Sequence, residues 1–274
     1  AVLEVGMGGR LDAVNLFDTD IALITPIGLD HTAWLGDTRE KIAYEKAGII
    51  RPMTPVVCSE TAPPSSLLEH ARKQNAPLYK AGEAYQYSQL NEDSWSWQAT
   101  GNEARVLPCP ALVGDYQIQN AAAVVQVCEL LKEQGLTITD TAILNGLKHV
   151  NLAGRFQEIK RDNVTLILDV THNQQGAENL HKLLSQRNCK GKTYAVLAML
   201  KDKDCQSVIQ ILQKDITHWF FAGLDGDRGM DAESLAAKAI SSSELDNYNC
   251  YTTVNDAYQH ALQKAETDDR ILIF

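Results

Sequence analysis

The sequence lacks the marks of several functional classes. No apolar stretch reaches the ~20 residues that a membrane-spanning helix needs, and no secretory leader is visible. Basic residues are in the minority. Against 35 Asp and Glu stand 25 Lys and Arg, a net charge of −10, which is not the basic footprint of a nucleic-acid binder. The six cysteines (Cys58, Cys109, Cys128, Cys189, Cys205 and Cys250) form no CxxC pair, and the seven histidines are equally scattered. A zinc cluster is therefore not expected, and idle or buried thiols in a reducing cytoplasm are the simpler reading. Two phosphate-binding signatures are incomplete. Gly6-Met7-Gly8-Gly9 opens like GxGxxG, but Leu11 fills the third glycine position, and an acid precedes the glycines instead of following them by ~20 residues. That argues against a nicotinamide dehydrogenase. Gly191-Lys192-Thr193 ends like a P-loop, but Gln186 stands where the first glycine belongs. The triplet also precedes a strand, whereas a P-loop follows one, so it reads as a turn.

What the chain does contain is an α/β rhythm over 274 residues, with 45% hydrophobic residues, enough for two domains or one large one. Ala1, Val2, Leu3 and Val5 read as a buried strand carrying one acid, Glu4. The glycines after it allow a backbone or a ligand to approach closely. Residues 20–27 predict a second buried strand, followed by Gly28-Leu29-Asp30-His31. A helix is expected over 38–47, capped by Asp37 or Thr38 and stopped at Gly48. A strand at 55–59 and a helix at 65–75 follow. Residues 77–113 alternate in the manner of a small antiparallel insert. Asn120 is expected to cap an apolar helix that stops at Gly135, with another helix at 139–148. From residue 164 strands and helices alternate regularly. VTLILDV, TYAVLAML, HWFFAGL, NCYTTV and RILIF read as strands, with helices at 176–186, 205–214, 231–240 and 255–266, the βαβ pattern of a parallel sheet. A domain boundary is expected near 150–155, giving domains 1–150 and 151–274.

The chemistry-bearing residues gather at predicted strand ends. Glu4 and His31 stand at or just past the carboxyl ends of buried strands, the edge where open α/β sheets bind ligands. Taken singly, each fits equally a satisfied core carboxylate and a backbone-bonded histidine. Lys46 near the end of the 38–47 helix reads from spacing as a surface lysine favoured by the helix dipole. Asp169, in Asp169-Val170-Thr171-His172-Asn173, follows a strand and precedes a helix. It suits a ribose hydroxyl or a nucleotide amine, while Thr171 or Asn173 suits the cap. Arg155, after Gly154 at the domain junction, suits a phosphate or an ordinary surface ion pair.

Taken together, EVGMGGRLDAVN, GLDHTAWLGDTREKIAYEKAGI, QNAAAV, AGRFQ and DVTHNQQGAENL resemble, in this order and over essentially the whole chain, the bacterial folylpolyglutamate synthase/dihydrofolate synthase family of the Mur-ligase group. The resemblance implies part of a P-loop Mur-ligase-type ATPase domain followed by a Rossmann-like parallel-sheet C-terminal domain. It implies ATP-dependent addition of L-glutamate to dihydropteroate and to folates through an acyl phosphate, in a cytoplasmic monomer. It implies Glu4 and His31 as Mg²⁺ ligands, Lys46 as a carbamylated lysine, and Leu11, Asp12 and Ala13 as pteroate contacts. Asn120, Arg155 and Asp169 become ATP contacts, with His172 as a catalytic residue in the same nucleotide-facing loop.

By the same resemblance the family's P-loop lies upstream of Ala1 and its last stretch beyond Phe274. The chain is therefore expected to be a fragment that does not turn over ATP by itself. Two other readings remain open at this level: a Mur-type cell-wall amino-acid ligase, and a non-catalytic α/β binding module in which Glu4, His31 and Lys46 are idle.

Overall fold

The computed structural model describes residues 1–242 and 245–274. They form two compact units, one of Ala1–Ala111 with Asp115–Val150 and one of Leu112–Gly114 with Asn151–Phe274. In chain order the first unit carries a 3₁₀ turn (Ala13–Leu16), β1 (Ala22–Ile24), α1 (Thr32–Leu35), α2 (Arg39–Ala47), β2 (Val56–Cys58), α3 (Ser65–Lys73) and β3 (Leu78–Lys80). It continues with β4 (Tyr85–Gln89), β5 (Ser94–Ala99), β6 (Arg105–Pro108), α4 (Asp115–Glu133) and α5 (Asp140–His149). No helix among the described residues is long and apolar enough to cross a membrane.

The first unit is built around a three-stranded parallel sheet in the order β1-β2-β3. Successive side chains of a strand face opposite ways, and β2 shows the consequence. Val56 and Cys58 pack with Ile42 and Ala43 of α2 and with Leu67 and Ala71 of α3. Val57, between them, packs with α4 and with the antiparallel sheet β4-β5-β6. A strand covered on both faces needs no polar side, hence the unbroken apolar run. Trp95 and Trp97 lie two apart on β5, so they share a face and are both buried. Their indole N–H groups donate to the carbonyls of Pro108 (2.9 Å) and Ala122 (3.1 Å). The second of these ties the antiparallel sheet to α4.

The second unit holds β7 (Gln157–Arg161), β8 (Val164–Leu168), α6 (Gln174–Gln186), β9 (Thr193–Leu197), α7 (Cys205–Leu212) and β10 (His218–Ala222). They are followed by α8 (Ala232–Ser242), β11 (Tyr248–Tyr251), α9 (Val254–Lys264) and β12 (Arg270–Ile273). Its sheet runs β11-β10-β9-β12-β8-β7. Every pairing is parallel except that of β7 with β8. Ala257 and Ala261 of α9 meet Val196, Phe220 and Ile271 on one face. The small alanines let the helix lie close to the strands.

The α/β class and the regular alternation after residue 164 are as the sequence predicts, and four local expectations change. Residues 1–5 form no strand. Val2 is fully exposed and Leu3 more than half exposed. A strand exists only where a neighbour takes its backbone groups, and among the described residues β1 pairs with β2 alone. Asn120 is not a cap. The helix begins five residues earlier at Asp115, because buried positions Ile118, Ala121, Ala122 and Val125 keep helical spacing straight through Asn120. Residues 78–80 belong to the parallel sheet and not to the antiparallel insert. Finally, β7 is an unforeseen edge strand. The two-residue turn Asp162-Asn163, with Asp162 at φ 52°, folds it back on β8, as Asp and Asn in tight hairpins allow.

Trp97→Ala removes a buried ring and its hydrogen bond, and should cost about 3–5 kcal/mol of stability. Trp97→Phe should cost clearly less. Thermal unfolding checks this, and an unchanged midpoint for Trp97→Ala would contradict the packing described.

Candidate active site

Gly8 and Gly9 serve close packing of two chain segments. They let a loop lie flat on the last turn of α2. A Cβ on Gly9 would stand 2.9 Å from the Glu45 carbonyl and 3.0 Å from that of Lys46. One on Gly48 would stand 2.4 Å from the Cβ of Arg10. Only hydrogen in place of Cβ permits so close an approach. The contact is then fastened from both sides. The Arg10 N–H donates to the Glu45 carbonyl (2.8 Å), a shorter bond to that helix-end acceptor than the one from the Gly48 N–H (3.3 Å). The Arg10 guanidinium grips the Glu45 carboxylate at 3.0–3.2 Å. Asn15 Nδ2 donates to the Gly48 carbonyl (3.1 Å), and Arg51 Nη2 to that of Asn15 (2.5 Å). Inside the loop, Asp12 Oδ1 accepts from the Val14 N–H, while Oδ2 accepts from Gly6 and Met7. These bonds, Val14 first, hold its carboxyl below the usual range.

The same helix turn carries Lys46. Its side chain is half-buried, in contrast to the surface position read from spacing. Burial pushes its ammonium down from the ordinary lysine value, and the nearby Asp30 carboxylate opposes that. Asp30 also accepts the His31 backbone N–H at 2.7 Å, and its Oδ2 lies 4.0 Å from His31 Nε2. His31 sits in the left-handed region (φ 51°) at the start of α1. Asp30 therefore lies near both His31 and Lys46, in the loop that follows the carboxyl end of β1, the edge where such sheets bind ligands. Glu4, by contrast, is an exposed carboxylate on the unpaired segment. Leu11 is 81% exposed, Ala13 is exposed, and Asp12 is engaged as described.

The loop between β1 and His31 has a further fastening. Glu60, two residues past β2, accepts the Ile27 N–H on Oε1 (2.5 Å) and Arg39 Nη2 on Oε2 (2.6 Å). Arg39 Nε donates to the Ile27 carbonyl (2.8 Å). At the same edge Gln119 donates to the carbonyl of the buried Ser59 (2.8 Å). One residue on, Asn120 Oδ1 is buried with no hydrogen-bond partner. Buried polar atoms are nearly always satisfied, so this oxygen is suited to a ligand N–H.

In the second unit Asp169 lies just past the carboxyl end of β8. Its Oδ2 accepts the Phe156 N–H (2.8 Å), and Oδ1 accepts the N–H and hydroxyl of Thr171 (2.9 and 2.6 Å). The cap of α6 does not need Asp169. Asn173 caps α6, accepting from Gly176, and Asp169 instead pins the turn at Gly154 (φ 71°) and Phe156 (φ 46°). Such backbone persists where surrounding bonds fix it. Arg155, between these two, is exposed and has no ion pair with a described carboxylate. His172 Nδ1 is 2.8 Å from the Val170 carbonyl.

For a divalent metal, the donors suit an ion that arrives with phosphate. Magnesium keeps several waters and takes one or two protein oxygens plus substrate phosphates. Among the described residues no group of three or more His, Cys, Asp or Glu side chains is placed to hold a metal. Glu4 and His31 can each add one donor to such an ion. Sequence reasoning missed Asp30, Glu60 and Arg39. Asp30 adjoins a singled-out histidine, and Glu60 directly follows a predicted strand end, which are the signals that were available.

Gly48→Ala places a methyl where Arg10 lies. The expected loss is about 1–3 kcal/mol, although the Gly48 backbone itself suits alanine (φ −63°). Chemical denaturation checks this, and stability equal to or above that of the parent would refute the close-contact reading.

The chain is also similar to known proteins. The Mur ligase middle domain family matches residues 1–128, and the Mur ligase glutamate ligase domain family matches residues 154–274. The dihydrofolate synthase/folylpolyglutamate synthase of Escherichia coli K12 is 35% identical over 272 residues, 99% of this chain and 61% of its own length. Among solved structures, E. coli FolC in complex with DHPP and ADP superposes with a TM-score of 0.87 at 34% identity, over 98% of this chain and 61% of that one. A bifunctional folylpolyglutamate synthase/dihydrofolate synthase with Mn, AMPPNP and L-glutamate bound gives 0.83 at 38% identity, over 98% and 62%. The chain spans about three-fifths of the length of these relatives. Its two units, its strand-end loops and these matches lead to one conclusion: the chain belongs to the Mur ligase family, with dihydrofolate synthase/folylpolyglutamate synthases as its relatives.

Proposed function

We propose that the protein to which this chain belongs is an ATP-dependent ligase that adds L-glutamate to dihydropteroate and to the γ-carboxylate of folates. The observation that carries the reading is the placement of Asp30 near both His31 and Lys46, in the loop that follows the carboxyl end of β1. It is supported by relatives whose solved complexes contain DHPP, ADP, AMPPNP, Mn and L-glutamate.

The substrate carboxylate attacks the γ-phosphorus of ATP, ADP leaves, and the amine of glutamate displaces phosphate from the acyl phosphate. Each step moves negative charge between oxygens, so positioned cations and donors do most of the catalytic work. Bound Mg²⁺ would supply charge neutralisation, with Glu4 and His31 as its protein ligands. Lys46 would react as the neutral amine with CO₂ to give a carbamate, an anion able to orient a phosphate or its metal. Its lowered pKa favours that neutral form. Leu11, Asp12 and Ala13 would line the pteroate, with Asp12 acting through the loop shape it fixes. Asn120 would satisfy its orphaned oxygen on the nucleotide. Arg155 would meet phosphate, and Asp169 and His172 would serve the nucleotide-facing loop. A cytoplasmic monomer is the setting we infer, and its reducing conditions suit six free thiols.

ADP release by the full-length protein should require dihydropteroate and L-glutamate together, and Lys46→Ala should lower kcat by about 10²-fold or more. Release supported by UDP-muramyl substrates instead would move the protein to the cell-wall branch. Unchanged release by Lys46→Ala would remove the carbamate from the account.

A further inference from the structure

We propose that Glu60 and Arg39 are a positioning pair that sets the place of His31, an inference that rests on the metal-ligand reading of His31 above. The pair occupies both backbone groups of one residue. Glu60 takes the Ile27 N–H, Arg39 takes the Ile27 carbonyl, and the two side chains join each other at 2.6 Å. They stand where a neighbouring strand would stand, but they come from two other elements. Glu60 follows β2, and Arg39 opens α2, the helix that carries Lys46 at its other end. Three elements are thereby tied at one point, four residues before His31. The Ile27 side chain is itself buried in the core, so the loop is anchored on both its apolar and its polar side.

The chemistry chosen is more than loop closure needs. The Glu60 side chain is only 11% exposed, and desolvating a carboxylate is costly unless its partners are well placed. A neutral side chain would satisfy one amide at less cost. A charged, two-ended clamp instead fixes distance and direction, as the groups that orient metal ligands commonly do. Between the clamp and α1 lie Gly28, Leu29 and Asp30, with no helix or strand to stiffen them. A fixed Ile27 limits where His31, held at the start of α1 by its own bonds to Asp30, Trp34 and Leu35, can stand.

The test uses the full-length protein with Mn²⁺ and the methylene-bridged analogue AMPPCP, reading the ¹⁴N modulation that a ligating imidazole imposes on the Mn²⁺ electron spin echo. The parent should show the modulation and His31→Ala should lose it. Glu60→Ala should weaken it by at least half and lower kcat about 10–100-fold, with little change in KM for dihydropteroate. Arg39→Ala, at a half-exposed site, should act in the same direction and stands in if Glu60→Ala fails to fold. If His31→Ala loses the modulation while both clamp variants keep it in full, the positioning role is wrong and the metal-ligand reading stands. If His31→Ala keeps it, the metal-ligand reading fails and the clamp's role falls with it.

Discussion

The site depends on one close contact, the backbone of Gly9 and Arg10 lying on the carbonyls of Glu45 and Lys46. A helix end normally faces water, because its last carbonyls have no intrahelical partners. Here a second stretch of chain supplies a donor to the Glu45 carbonyl in addition to the Gly48 N–H, and the two glycines remove the atoms that would keep the chains apart. Two consequences follow. The loop that carries residues 11–13 is registered against the helix turn that carries Lys46. Lys46 in turn is half-buried, and burial is what lowers its pKa. A glycine pattern that looks like a broken nucleotide fingerprint is thus a packing device, and its chemistry reaches the site through a neighbour.

The two units use one device at their sheet edges. In each, a carboxylate just past a parallel strand takes backbone N–H groups and so fixes a loop. Glu60 does this for Ile27, and Asp169 for Phe156 and Thr171. Both carboxylates are engaged by backbone N–H groups. Their effect is to hold the groups that are less engaged: His31 in the first unit, the exposed Arg155 in the second. Acids at strand ends in this fold serve the shape of the loops as much as the charge of the site.

Much of this was legible in the residues. The 38–47 helix is correctly bounded by Thr38 and Gly48 because a cap and a stop are local chemistry. The parallel sheet after residue 164 is legible because its strands alternate with helices at regular spacing. What failed is what neighbours decide. Ala1–Val5 reads as a strand by composition, but a strand needs a pairing partner. Asn120 reads as a cap by propensity, but the buried spacing of Ile118 and Ala121 carries the helix past it. The burial of Lys46 and the Glu60-Arg39 clamp join residues more than 20 positions apart in sequence or packed from several elements, and no local pattern records them.

Residues 8–12 and the last turn of α2 should open as one cooperative piece. Amide hydrogen exchange on the full-length protein, followed across low concentrations of urea, tests it most directly. The Arg10 amide and those of residues 46–50 should share one opening free energy and one urea dependence. Exchange of the Arg10 amide through an independent, low-energy opening while residues 46–50 stay protected would contradict it.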